Sequence, residues 1–190
     1  MSLDSADYVI AGGGSAGCVI ASRLSEDPNC QVVLLEAGGP GNGFMATMPS
    51  GSYKLLGKPK ADWMYMTEPD PSLNGRKVMW TAGRMLGGGS SINGMMYIRG
   101  SRADYDSWEG DLGCEGWGWN AVQTYFKKSE GFNGPPSQSH STDGPLGVTL
   151  PRQINPLSRV FVQACQEAGF REVEDYCAGD IDGAFLAYVT

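Results

Sequence analysis

Basic side chains are scarce in this sequence. Lysine and arginine number 14 against 21 aspartates and glutamates, a formal net charge of -7 over 190 residues, and the pI is near 4.6. Nucleic acids and anionic membrane surfaces require a basic footprint, so neither is an expected partner. No stretch approaches the ~18 apolar residues a membrane span needs. The opening MSLDSADYVI has no basic n-region, and the cytoplasm is the expected compartment. The five cysteines, Cys18, Cys30, Cys114, Cys165 and Cys177, are odd in number and include no CxxC pair. That argues against a zinc site or redox disulfide and for reduced packing residues. Histidine is nearly absent: His140 stands alone, in a Gly/Pro/Ser-rich segment expected to be solvated. Fibrous or solenoid periods are also missing.

Glycine, by contrast, is abundant. The 28 glycines are about twice the usual ~7% share, and they concentrate at 12 to 17, 38 to 43 and 83 to 94. The first cluster follows DYVIA (7–11), which reads as a short buried strand. Apolar residues at Ala16, Val19, Ile20 and Leu24 then predict a helix over 15–26, stopped before Pro28, and QVVLLE (31–36) reads as a second strand. This is a strand-turn-helix-strand unit of the ~30 residues expected for a nucleotide-binding crossover. Within it Gly12, Gly14 and Gly17 form G-x-G-x-x-G, and Glu36 ends the second strand at the ~20-residue offset of a dinucleotide fingerprint. Gly12 would allow the tight turn, Gly14 the approach of a pyrophosphate, and Gly17 close helix-sheet packing. The helix N-terminus supplies N–H groups, and Glu36 would accept hydrogen bonds from ribose hydroxyls.

The third cluster, GRMLGGGSSINGMMYIRG (83–100), strips side chains from Gly87, Gly88 and Gly89, so that backbone N–H groups can approach a bulky anionic ligand. Ser90, Ser91 and Asn93 add donors and acceptors. A flexible glycine turn is the plainer alternative. Residues 40–80 do not continue an alternating strand-helix pattern and read as an extended covering loop.

Residues 83–100, followed by Ala103-Asp104-Tyr105-Asp106 and Trp108, resemble the first signature of the glucose/methanol/choline (GMC) flavin oxidoreductases. The segment 7–39, the DWMY-TEP stretch (62–69) and the Gly116-Trp117-Gly118-Trp119 turn are similar to the amino-terminal part of that family. The resemblance implies an α/β, Rossmann-like FAD-binding domain of GMC type over 1–134 and the beginning of an α+β substrate domain over 135–190. It implies non-covalent FAD on Gly12, Gly14, Ser15, Ala16, Gly17 and Glu36, and on Arg84, Gly87, Gly88, Ser90, Asn93, Gly94, Met95 and Met96. Ala82 and Gly89 depart from the family pattern. Ile92 stands where some relatives carry a histidine linked covalently to the flavin.

The implied activity is oxidation of a small-molecule alcohol, its hydroxyl proton going to a base and its hydride to flavin N5. That base is expected beyond Thr190, so the chain is expected to be a truncated, nicked or split part completed by a carboxyl-terminal part in the same or a second chain. A flavin-containing lyase on the same scaffold and a cofactor-binding fragment without chemistry are the alternatives. Downstream, Asn120 is expected to cap a helix reaching Glu130, with Val122, Tyr125 and Phe126 inward and Gly131 as its stop. The segment 134–147 reads as a loop. A second helix, capped by Asn155 with Pro156 first, is expected to bury Leu157, Val160, Phe161, Ala164, Cys165 and Ala168. Trp108, Trp117 and Trp119 read as packing residues.

Overall fold

The computed structural model describes residues 5–190, divided between two compact units, one ending at Met95 and the other beginning at Met96. In the first, β1 (Tyr8–Ala11) and β2 (Val32–Leu35) pair in parallel in the register Tyr8↔Val32 to Ala11↔Leu35, joined by α1 (Ser15–Leu24). The glycine loop ends β1, and Gly12, at φ +98°, reverses the chain into the helix. A Cβ on Gly17 would overlap the Gly12 carbonyl oxygen, so its glycine lets α1 lie against the loop. The strand expected to be buried is not. Tyr8 and Val9 are 49% and 63% exposed, because among the described residues this sheet has only two strands.

The covering segment is less extended than expected. It holds α2 (Phe44–Thr47) and the antiparallel pair β3 (Tyr65–Met66) and β4 (Met79–Trp80). The buried cluster of this unit is Ala61, Met85 and Ile92, with Ala46, Leu55 and Leu56 against it.

The second unit runs β5 (Met96–Tyr97), α3 (Arg102–Gly110), α4 (Trp119–Ser129), β6 (Glu130–Phe132), β7 (Leu146–Val148), α5 (Pro156–Glu167) and β8 (Tyr188–Val189). β5 pairs antiparallel with β8, and β6 pairs parallel with β7. Ser101 and Asp104 form a reciprocal capping box on α3. Helix α4 begins one residue before the expected cap Asn120, because the Asp106 carboxylate accepts from Trp119 N (2.9 Å) and serves the helix end from α3. Tyr125 is exposed, and Gly131 lies within a strand rather than stopping the helix into a loop. Asn155 does cap α5, accepting from Leu157 N at 2.9 Å, with Pro156 first. Its expected core stripe is open, however: Leu157, Val160 and Phe161 are exposed and Val162 alone is buried in that helix.

The core of this unit gathers Val173, Tyr176 and Cys177, with Tyr97, Ile181, Phe185 and Tyr188 around them. Trp119 is fully buried as expected of a packing residue, whereas Trp108 and Trp117, expected to pack, are exposed; all five cysteines are unpaired, Cys177 buried and Cys114 exposed. The largest departure concerns His140, expected to be solvated and found 5% exposed. Its ring stacks on Phe132 at 3.9 Å and is bracketed by the carboxylates of Glu130 and Asp175, and these contacts outweigh the polar composition of its segment.

Candidate functional site

The site begins where β1 ends. Gly12 N donates to Leu35 O (2.7 Å), which ties the loop to the end of β2. Glu36, the next residue after β2, clasps the glycine loops: Oε2 accepts from Gly13 N and Oε1 from Gly38 N, each at 2.7 Å. Gly14 is the N-cap residue of α1, with extended backbone and no side chain to cap the helix, and the first turn contains no acidic residue. The N-terminal dipole of α1 therefore faces outward uncompensated by side chains.

The third glycine cluster lies directly on the first. Gly87 N donates to Gly13 O (2.7 Å), and Gly14 and Gly87 form a parallel bridge. Gly87 and Gly88 hold φ of +89° and +53°, a region that favours glycine. A Cβ on Gly88 would stand 2.8 Å from Gly14 Cα, and one on Gly83 would overlap the Gly88 carbonyl. Gly83 and Gly88 thus let the backbone segments at 14, 83 and 88 pass at separations that a side chain on either glycine would not allow. Ser90 Oγ donates to Gly87 O (2.7 Å) and Ser91 Oγ to Leu86 O (2.8 Å), closing the turn on itself.

Between these loops opens a cavity of about 650 Å³, lined by Gly12, Gly14, Glu36, Gly83, Gly88 and Gly89 on one side and by Trp63, Tyr65 and Ala82 on another. A Cβ built on Gly14 would meet nothing nearer than 4.0 Å, so that position opens into free space. No lysine or arginine lines the cavity. Gly12 N and Gly88 N are already paired, with Leu35 O and Met85 O, so an anion there would be met by the N-terminal end of α1. The arrangement fits a dinucleotide: a glycine cradle for a pyrophosphate, and beside it a carboxylate whose oxygens each keep a lone pair for a sugar hydroxyl.

The sequence-derived residues divide. Gly12, Gly14, Glu36 and Gly88 meet at the cavity; Ser15, Ala16 and Gly17 form the first turn of α1 behind it, and Gly87 braces it from below. Ser90, Asn93 and Met95 line a separate small cavity of about 70 Å³ with Thr47 and Ser52. The Asn93 side chain is occupied by Met95 N (2.9 Å), Gly94 follows it, and Met96 opens the second unit in β5. Arg84 turns away: its guanidinium lies 4.9 Å over the Trp63 ring and donates to Pro59 O (3.3 Å). Sequence reasoning missed Trp63, Tyr65, Ala82 and Gly83 on the wall. The DWMY stretch was visible, but nothing in its spacing assigned it chemistry.

The second unit contains the other concentration of charge. Arg99 Nη2 lies 3.0 Å from Glu130 Oε2, both side chains almost fully buried, and His140 sits between Glu130 and Asp175. Burial disfavours the imidazolium, but hydrogen bonds to Asp175 and Glu130 outweigh it and raise the His140 pKa. Burial likewise opposes ionisation of Asp175, yet His140 holds it below its ordinary value. Desolvation pushes the neighbouring Cys177 thiol up to about 12, so it stays protonated.

Comparison with known proteins is in keeping with a flavin dinucleotide cofactor. The chain is 43% identical over 178 residues to an oxygen-dependent choline dehydrogenase of Rhizobium rhizogenes, covering 94% of this chain and 32% of that protein. It is 44% identical over 185 residues to an alcohol dehydrogenase [acceptor] of Pseudomonas putida, covering 97% and 33%. Among solved structures, pyridoxine 4-oxidase from Mesorbium loti superposes with a TM-score of 0.89 at 34% identity, over 97% of this chain and 36% of that one. A formate oxidase variant of Aspergillus oryzae RIB40, studied for FAD modification, gives 0.85 at 29% identity, over 97% and 34%. The chain spans about a third of the length of the curated relatives it matches. These neighbours share an α/β flavoenzyme fold, and the GMC oxidoreductase profile matches residues 6–188; the chain belongs to the GMC oxidoreductase family.

Proposed function

We propose that this chain is the FAD-binding amino-terminal part of an oxidoreductase that oxidises an alcohol. The observation that carries the reading is the apposition of Gly14 and Gly88 beside Glu36 at one cavity, a cradle for the dinucleotide without side-chain cations. The names of the relatives, choline dehydrogenase, alcohol dehydrogenase and pyridoxine oxidase, support a CH–OH donor. The domain assignment is a Rossmann-like FAD-binding part over 1–134 and the start of a substrate region over 135–190, with the cytoplasm as the compartment.

When bound, FAD supplies the hydride acceptor. The chain's own residues hold and orient it: Gly12, Gly14 and the first turn of α1 at the pyrophosphate, Glu36 at the ribose, and the loop from Gly87 onward toward the flavin. Binding is non-covalent, because Ile92 offers no nucleophile and is buried at 7% exposure with Ala61 and Met85. The base that takes the hydroxyl proton comes from a carboxyl-terminal part, in the same or a second chain. Both ring nitrogens of His140 are already engaged by carboxylates.

The test is direct. The chain should bind FAD and release yellow colour on acid precipitation. It should show no alcohol turnover alone, and should support flavin reduction by an alcohol when the carboxyl-terminal part is added in trans. Absence of FAD binding, or robust turnover by the homogeneous chain, would overturn the reading.

A further inference from the structure

The Asp62 carboxylate is 1% exposed and gathers three backbone hydrogen bonds. Oδ2 accepts from Gly57 N (2.8 Å), and Oδ1 accepts from Met64 N (2.9 Å) and Ala82 N (3.0 Å). Two of the donors flank Asp62 in the covering segment, and the other, Ala82, lies at the entry to the third glycine cluster. We propose that Asp62 is a positioning residue for the cofactor cavity, acting through Trp63. The proposal rests on the reading of that cavity as the FAD site.

Trp63 and Ala82 both face the cavity, and each is held by the same bond network. Trp63 N donates to Ala82 O (2.9 Å), Arg84 N donates to Ala61 O (2.8 Å), and Asp62 pairs with Gly83 in a single antiparallel bridge. The Asp62–Gly83 bridge continues the register of the β3–β4 pair, but the ladder is interrupted at Trp63 and Met64, and the carboxylate cross-links that gap through Met64 N and Ala82 N. Met64 holds φ +52°, a conformation that non-glycine residues keep only where the surroundings enforce it. The bond from its N–H to Asp62 supplies that enforcement. The resulting turn sets Trp63 and Tyr65 in a stack, 5.8 Å between centroids and 7° between planes, with both rings at the cavity.

The chemistry demands a carboxylate. Three N–H donors converge on two acceptor oxygens, whereas an amide has one acceptor and would turn its NH2 toward at least one N–H. Burial alone would raise the pKa, but the bonds from Gly57, Met64 and Ala82 outweigh it and hold Asp62 below the usual carboxylate range. It therefore stays an ionised acceptor.

The test is an FAD titration of the wild-type chain, Asp62→Asn, Trp63→Ala and the double variant, with far-UV circular dichroism as the fold control. Asp62→Asn should weaken FAD about tenfold or more, since a buried donor is left unpaired at the wall. Because Asp62 acts through Trp63, the double variant should lose no more than the larger single loss. Fully additive losses, or undiminished affinity in Asp62→Asn while wild type binds FAD, overturn the inference alone. A wild-type chain that does not bind FAD overturns the reading of the cavity and the inference with it. Hydrogen exchange of the wild-type chain provides a check independent of variant folding: the Gly57, Met64 and Ala82 amides should be protected before FAD is added. Protection that appears only with FAD would mean that Asp62 does not pre-build the wall.

Discussion

His140 Nδ1 lies 3.0 Å from Glu130 Oε1, with both side chains buried. The opposite ring nitrogen, Nε2, lies 3.2 Å from Asp175 Oδ1. Only the imidazolium has a donor on each nitrogen, so two carboxylates on one ring call for the charged form. With Arg99 on Glu130, the four groups then sum to zero charge, which makes the burial of Arg99, Glu130 and His140 beside the half-buried Asp175 tolerable.

This arrangement predicts a defined pH response. The His140 pKa is raised from an ordinary 6.5, so its stabilising contribution is complete below that value and is lost as pH rises through the higher folded value. The Asp175 pKa is lowered from 3.8, so its contribution is complete above that value and is lost as pH falls through the lower folded one. The melting temperature should therefore fall as pH rises above about 6.5, and the fall should be shallower in His140→Gln. Parallel profiles for the two proteins across that range would refute the imidazolium assignment.

Gly17→Ala should disrupt the packing of α1 on its loop, since the added Cβ overlaps the Gly12 carbonyl oxygen. Overpacking of this kind costs about 1 to 3 kcal/mol, and the obstacle here is backbone, which cannot move aside cheaply. Urea denaturation of the variant should show the loss. A midpoint equal to wild type would mean that the helix can shift without cost.

Glu36→Ala removes the clasp on Gly13 N and Gly38 N as well as the acceptor for a ribose. FAD affinity should fall by about 1.5 to 3 kcal/mol, the range for hydrogen bonds to a charged group. Isothermal titration would report it, and an undiminished affinity would place the dinucleotide elsewhere.

The apolar face of α5 should contribute little to the stability of this chain. Leu157 is 73% and Phe161 68% exposed, and exposed positions away from special contacts change stability by less than about 0.5 kcal/mol. Phe161→Ser should thus leave the denaturation midpoint nearly unchanged while reducing self-association in light scattering. A large loss of stability would show the face to be covered within the chain.

How much was legible beforehand follows from the range over which each feature is decided. The crossover from β1 through α1 to β2 could be read because glycine spacing and apolar period act within a few residues. Gly12 needs its left-handed φ and Gly17 its missing Cβ for reasons local to one turn. The Asn155 cap and Pro156 were legible for the same reason. Burial was not. DYVIA and the α5 stripe have core composition, yet they stand open because burial requires a second surface, which pattern alone cannot supply. The environment of His140 was misjudged in the opposite direction, since its partner Asp175 lies 35 residues away. The wall formed by Trp63 and Ala82 depends on one carboxylate that accepts from residues as far as 20 positions on. The sequence by itself determined the glycine cradle and the family, because those depend on local backbone freedom and residue order. Tertiary structure alone decided which side chains close the cavity and where the one histidine is charged, because both depend on groups that only folding brings within hydrogen-bonding distance.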